Sequence, residues 1–267
     1  MIDTPKHLAY TIKVELKEIQ HILDNIDSFY YEREIVKTTK NRKVKKRILN
    51  PSIKRLKVIQ KRILENILSK LQLPDYAYGA VKGRDNVANA KRHQGKKYNF
   101  TTDLRKFFPS ISHHKVFEMF RLFDFSPTVS RLLTQLTTYK GKLPQGAPTS
   151  PTVANLVFIK TGNKLALFAK ENNLTFTSFI DDLTFSAPTD FKEKAGFIID
   201  TIQSDGFRIS HDKTNYKTKN PKVTGLVVKN NNLALPADFI IKLNDLEGKT
   251  PEQIRGLQLY ADKVLNT

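Results

Sequence analysis

Apolar residues near the start of the chain recur every three or four positions. Leu16, Ile19, Leu23 and Ile26 share one face of a helical turn, which predicts a packing helix over roughly residues 5–30. A second such face, Leu56, Ile59, Ile63 and Ile67, follows Asn50 and Pro51, a capping residue and a proline suited to the first helical position. The pattern changes at "KYNFTTD", which predicts a strand ending near Asp103. Ser112 then caps a helix with Val116, Phe117 and Phe120 on its apolar side, and Ser150 with Pro151 opens another after the Pro/Gly-rich "GKLPQGAPTS". "TFTSFI" and "LTFS" are β-prone stretches separated only by Asp181 and Asp182, the pattern of a hairpin with both acids at or beside its turn. Phe191, Ala195, Ile198 and Ile202 mark a further helix closed by Gly206; "FRIS" and "KVTGLVVK" predict short strands, and "TPEQIRGLQLYADKVLNT" a last helix. Helices first, then mixed strands and helices, then a helical tail predict an α+β or mixed α/β architecture.

Charge changes this picture more than length does. The 267 residues carry 45 Lys and Arg against 26 Asp and Glu, a formal net charge of +19, which favours a polyanionic partner. Between Ile35 and Leu64 lie twelve basic residues and no acidic one. That block lacks the aromatic anchors of a membrane-surface segment, so nucleic acid is the better match. No long apolar run suggests a membrane span, and "MIDTPKHLAY" lacks the apolar core of a signal peptide, so a soluble, cytoplasmic protein is expected. With no cysteine, thiol catalysis and thiolate metal sites are excluded, and oxygen or His ligands point to hard ions such as Mg²⁺.

The Asp181–Asp182 pair is the feature that needs explaining, because desolvation and mutual repulsion both oppose two adjacent carboxylates in an apolar run. A two-metal site reverses that balance, since the cations cancel the repulsion. Successive residues of a regular strand point to opposite faces, so both acids reach one site only from a turn. A third acid must come from a neighbouring strand, and Asp103 is the best placed.

"TTDLRKFFPSIS", "LPQGAPTSPTVANLVF" and "FTSFIDDLTFS" occur in that order and together resemble the three palm motifs of reverse transcriptases. "KKRILNPSIKRLKVIQKRILENIL" resembles the fingers motif of that family and "HDKTNYK" its fourth palm motif, so the likeness runs from about residue 37 to about residue 260. Within the superfamily it is most similar to bacterial retron enzymes. "NAKRH", Asn89 to His93, matches the retron Asn-Ala-x-x-His motif, and "VTG", Val223 to Gly225, a second retron signature. The resemblance implies an α+β right-hand polymerase, with an N-terminal helix and fingers over 1–97, a palm with an antiparallel sheet over 98–233 and a short helical thumb over 234–267. It implies that Asp103, Asp181 and Asp182 hold two Mg²⁺ ions, with Mn²⁺ able to substitute, and that Lys213 is a proton donor to pyrophosphate. Lys46 and Arg47 would neutralise the incoming triphosphate, with Lys45 or Lys43 as alternatives in so basic a run. Phe108 would be the steric gate favouring dNTP over rNTP, and Gln145 with Gly146 would lie against the nascent pair. Asn89, His93, Val223, Thr224 and Gly225 would serve RNA binding, with a structural role as the other reading of His93.

The implied activity is RNA-directed DNA synthesis on a dedicated structured noncoding RNA that is both template and primer. The implied partners are dNTPs, the DNA product, the RNA–DNA hybrid and an effector protein, and the implied setting is phage defence. Two departures stand out. The family's Tyr-Ala-Asp-Asp is Phe179-Ile180-Asp181-Asp182 here, and the segment after residue 233 is short for a family thumb, which predicts a weaker grip on the duplex. The competing readings are a non-catalytic RNA-binding protein on this scaffold, which the three intact aspartates oppose, and a reverse transcriptase of an abortive-infection or diversity-generating system.

Overall fold

A computed structural model describes residues 2–38 and 44–267. The chain forms two units, each discontinuous in sequence: Met1–Leu73 with Lys106–Ile159, and Pro74–Arg105 with Lys160–Thr267.

The first unit is mainly helical. Thr4 caps the helix Pro5–Thr11, accepting a hydrogen bond from the His7 N–H. The single helix expected over 5–30 is interrupted: Lys13 takes a φ of 52°, a second helix runs Leu16–Asp24, and a 3₁₀ turn covers Ile26–Phe29. The basic block does not begin as a helix. Strands β1 (Arg33–Thr38) and β2 (Val44–Leu49) pair antiparallel, a hairpin that its Lys- and Arg-rich sequence conceals. Asn50 and Pro51 do not start the following helix, which runs Lys54–Asn66. Their backbone is used elsewhere, the Asn50 N–H donating to the Gln145 carbonyl at 2.8 Å and the Tyr31 N–H to that of Pro51 at 3.3 Å. The apolar face Leu56, Ile59 and Ile63 is fully buried. Gln60, on the same helix, donates to the Tyr30 hydroxyl and the Leu136 carbonyl and accepts from Ser52, which satisfies a buried amide. The helices Phe107–Ser110, His113–Leu122 and Pro127–Thr137 complete this unit with the first part of the long helix Ser150–Glu171. Ser112 and Ser126 cap their helices as short polar residues should; Ser150 is the first residue of its helix rather than the cap before it.

The second unit is built on an antiparallel sheet. Strands β3 (Tyr98–Asp103), β4 (Thr175–Phe179), β5 (Asp182–Ala187) and β6 (Asn215–Lys217) lie in the order β4-β5-β3-β6. Phe176 stacks on Phe185 at 4.5 Å between centroids, and Phe100 leans on Phe185, so aromatic rows on adjacent strands fix the register. "FRIS" contributes only a bridge, Leu104 to Ile209, and the chain reaches the sheet edge at β6 instead. The helix Ala195–Ser204 buries Ile198 and Ile202, as its spacing requires. A smaller sheet contains β7 (Lys222–Val223), β8 (Leu226–Val228) and β9 (Leu233–Ala234). Its core is Val223, Leu226, Val228 and Leu233, packed with Val87 and Ala90 of the helix Asn86–Lys91 and with Val264 of the helix Pro251–Leu265. A further helix, Ala237–Asn244, precedes that last one. Helices and antiparallel sheets together are the expected α+β class. No helix among the described residues is long and apolar enough to cross a membrane.

Candidate active site

The sheet brings the acids together by register. Asp103 ends β3 and Asp182 begins β5, and the two are direct Cα partners across the antiparallel pair. Asp181 occupies the two-residue turn between Phe179 and Asp182, and its carbonyl accepts the Leu104 N–H at 2.8 Å, which ties the turn to the end of β3. Ile180, the first residue of that turn, has a φ of 59° while Asp181 does not share the positive sign, the arrangement of a type II′ turn. Glycine normally fills that position, and a β-branched residue held in so sparsely populated a conformation costs on the order of 1–3 kcal/mol. Gly79 makes the turn possible: a Cβ at residue 79 would stand 2.7 Å from both Cγ1 and N of Ile180 and 3.0 Å from the Phe179 carbonyl carbon. The segment before it is held alongside β4, Ser178 donating to the Tyr76 carbonyl and Tyr78 to the Ser178 carbonyl, each at 2.8 Å.

The electrostatics are those of a crowded acid site. Asp103 is 6% exposed, and its two oxygens accept hydrogen bonds from the Ser210 hydroxyl at 2.7 Å and from the Lys213 ammonium. Although Asp182 is open to solvent at the rim, desolvation by the protein around its carboxyl pushes its pKa up to about 6; repulsion from Asp181 and Asp103 adds to this, and Lys213 opposes it. Burial alone would lower the Lys213 ammonium, but its hydrogen bond to Asp103 and the charges of all three acids raise it. Three carboxylates against one ammonium leave negative charge uncompensated, which a divalent cation would relieve.

Asp103, Asp182 and Lys213 line a cavity of about 310 Å³ with Lys222, Thr224 and Gly225. Among the described residues no three acid or His side chains gather closely enough to cage a metal ion. Facing carboxylate oxygens beside an accessible cavity nevertheless fit a hard divalent ion, which keeps water and substrate-phosphate ligands and is commonly held by one or two carboxylates.

The retron-type motifs meet each other rather than lying apart. Thr224 and Gly225 form a two-residue turn between β7 and β8 with φ of 45° and 87°, a type I′ turn that explains the glycine. The Asn86 and Asn89 amides donate to the Thr224 carbonyl and hydroxyl, each at 3.3 Å, and the Thr224 hydroxyl donates to the Asn86 carbonyl. Asn89, His93 and Val223 are buried. The His93 ring nitrogens bond the Ser186 and Thr177 hydroxyls at 2.7 and 2.8 Å, beneath the sheet that carries the acids. Of these five residues only Thr224 and Gly225 reach the carboxylate cavity.

The remaining candidates stand in the first unit. Phe107 is buried edge-on against Phe158, while Phe108 is half-buried on the same short helix. Gln145 holds Asn50 through its carbonyl, with Gly146 next to it. Lys46 and Arg47 are exposed and consecutive on β2, so strand geometry turns them to opposite faces; Lys46 also pairs with Glu34 at 3.0 Å. Lys43 lies outside the described residues. Ser210 and Gly79 had no signal in the sequence beyond a serine at the end of "FRIS" and a glycine in a loop.

Residues 35–228 match the family described as reverse transcriptase (RNA-dependent DNA polymerase). Among curated proteins the chain is similar to the retron Ec86 reverse transcriptase of Escherichia coli, 37% identical over 68% of this chain and 58% of that protein. It is also similar to the retron Se72 reverse transcriptase of Salmonella heidelberg (strain 579083-10), 34% identical over 83% of this chain and 61% of the relative. The retron Mx162 reverse transcriptase of Myxococcus xanthus is 30% identical over 80% of this chain and 54% of its own length. The chain thus spans well under two thirds of each of these relatives.

Proposed function

The chain belongs to the reverse transcriptase (RNA-dependent DNA polymerase) family, and from that premise we propose that it is an RNA-directed DNA polymerase of the retron type, copying a structured noncoding RNA into DNA. The observation that carries this reading is the direct pairing of Asp103 with Asp182 across the sheet, both lining one cavity, with Asp181 at the adjoining turn. Reverse transcriptases generally use divalent metal ions. In this reading Asp103, Asp181 and Asp182 hold two Mg²⁺, which when bound acidify the attacking hydroxyl and stabilise the leaving pyrophosphate.

The chain's own groups supply positioning and proton transfer. Ser210 holds one oxygen of Asp103 and so fixes the plane of its carboxylate. Lys213, protonated and beside the acids, is the donor to pyrophosphate as the bond to the α-phosphorus forms. Lys46 or Arg47 binds the triphosphate, Phe108 excludes a ribose 2′-OH, and Gln145 with Gly146 supports the new pair. Asn89 and His93 act through the fold, by holding the Thr224–Gly225 turn and the underside of the sheet. The segments 1–97, 98–233 and 234–267 correspond in this reading to fingers, palm and thumb, and the resemblance extends it to an RNA-linked DNA product in phage defence.

Template and metal dependence test the proposal. Purified protein given a DNA primer on an RNA template should incorporate dNTPs with Mg²⁺, stop when the ion is chelated, and incorporate far less of the matching rNTPs. Incorporation that persists under chelation would overturn the metal-dependent reading, and equal use of rNTPs would overturn the assignment as a DNA polymerase.

A further inference from the structure

A second cleft lies in the same unit, at the other end of the strand that carries Asp103. It has a volume of about 640 Å³ and three walls: Lys96 and Lys97 before β3, the Thr218–Pro221 segment after β6, and the β8–β9 loop from Lys229 to Asn232. Four lysines, Lys96, Lys97, Lys219 and Lys229, line it, and no acid does. Among the described residues none of the four has a carboxylate within ion-pair reach, whereas Lys46, Lys164, Lys213 and Lys263 each do. The Lys96 ammonium donates to the Arg92 carbonyl at 3.0 Å and that of Lys97 lies 5.3 Å from the centre of the Tyr98 ring, but neither contact supplies a negative charge. Like charges with no counter-charge around one cleft repel one another, a cost that an anionic ligand would remove.

The walls are built rather than loose. The Lys229 N–H donates to the Asn232 carbonyl at 3.0 Å, closing the β8–β9 loop, and the Val228 N–H ties that strand to the Pro221 carbonyl at 2.9 Å. Asn99, 1% exposed, donates to the Lys96 carbonyl at 3.0 Å and so holds the lysine segment, while its buried Oδ1 finds no hydrogen-bond partner among the described residues. Asn99 also lines a smaller cavity of about 190 Å³ that shares Pro221 with the lysine cleft and Lys222 with the cavity of the carboxylates. A chain of basic cavities therefore leads along β3 and β6 away from the acids. The six residue-to-residue steps from Lys97 to Asp103 span about 20 Å at roughly 3.4 Å per step.

We propose that the cleft is an anchoring site for RNA, its lysines taking successive phosphates while Asn230 to Asn232 meet the 2′-hydroxyls or base edges of the unpaired nucleotides between them. Lysine is a point charge suited to phosphate, whereas the asparagine amide both donates and accepts and so reads groups that phosphate contacts do not. At about 20 Å from the carboxylates, the anchored segment is not the nucleotide being copied. The site holds the RNA that stays with the enzyme. RNA as the ligand rests on the reverse transcriptase reading; a polyanionic ligand rests on the cleft alone.

The test measures binding without primer, metal or dNTP, so that it is decisive even for a chain unable to polymerise. A fluorescein-labelled unstructured RNA of about 20 nucleotides is titrated into wild type, into Lys97→Gln/Lys219→Gln/Lys229→Gln, and into the charge-matched control Lys170→Gln/Lys192→Gln/Lys242→Gln, from about 50 to 200 mM salt. All six positions are exposed, so folding is expected to survive. The cleft variant should bind at least about tenfold more weakly, with a salt slope shallower by about 2, three single-strand contacts at about 0.7 each. The control should lose less than about half of that slope. Equal losses in the two variants, or an unchanged slope in the cleft variant, would overturn the site while leaving the polymerase reading intact. DNA of the same sequence that binds as tightly and loses as much would overturn the assignment to RNA.

Discussion

His93 shows how a single residue can be read two ways until its surroundings are known. Its place in a family motif implied a role in RNA binding, yet its ring is fully buried and both nitrogens are spent on Ser186 and Thr177. Burial, reinforced by the charges of Lys96 and Arg92, lowers its pKa to about 3. The unfolded chain takes up a proton near the ordinary value of 6.5 and the folded chain refuses it. The stability contributed by neutral burial is therefore fully present above pH 6.5 and is lost as pH falls from there toward 3, at about 1.4 kcal/mol per pH unit. Urea unfolding at pH 7 and pH 5 should show wild type losing about 2 kcal/mol more than His93→Gln over that interval. Equal losses would mean that the ring is protonated in the folded protein. Ser210 belongs at this scale too. Nothing in "FRIS" marks its hydroxyl as a partner of Asp103, because the contact joins residues that are 107 apart.

At the level of elements, the hairpin carrying Asp181 and Asp182 was legible because β-prone residues flank the acids on both sides, and Asp103 because its strand ends in a charge. What hid was structure whose local composition argues otherwise. β1 and β2 are masked by their charges, β6 is three polar or aromatic residues at a sheet edge, and the break at Lys13 rests on one backbone angle. "NAKRH" and "VTG" are readable as words, but that they touch one another follows only from the packing of the helix Asn86–Lys91 on the β7–β8 turn. Gly79 is the same kind of case, a loop glycine whose need appears only when Ile180 is set against it. Gly79→Ala must move the backbone of the acid turn, because the clash includes the Ile180 amide as well as its side chain. A displacement of about 1 Å at reacting groups can cost up to a hundredfold. Primer extension by Gly79→Ala should fall at least about tenfold with RNA affinity within about twofold of wild type, and wild-type turnover in the variant would show that the turn does not depend on this contact.

For the whole molecule, the charge of +19 and the acid cluster pull in opposite directions, and their coexistence is the strongest support for catalysis on nucleic acid. A binding protein gains nothing from three carboxylates facing a polyanion; a metal-dependent polymerase needs them. The carboxylate cavity and the lysine cleft lie at the two ends of β3, so one strand links the site assigned to chemistry with the site assigned to anchorage. The most direct measurement is extension of a DNA primer on an RNA template in Mg²⁺ by wild type and by Asp181→Asn/Asp182→Asn, with RNA affinity measured on both. Catalysis at these acids predicts extension by wild type, a loss of about 10³-fold or more in the variant, and RNA affinity unchanged or slightly tighter. Extension by the variant at the wild-type rate, or none by wild type on any RNA it binds tightly, would contradict it.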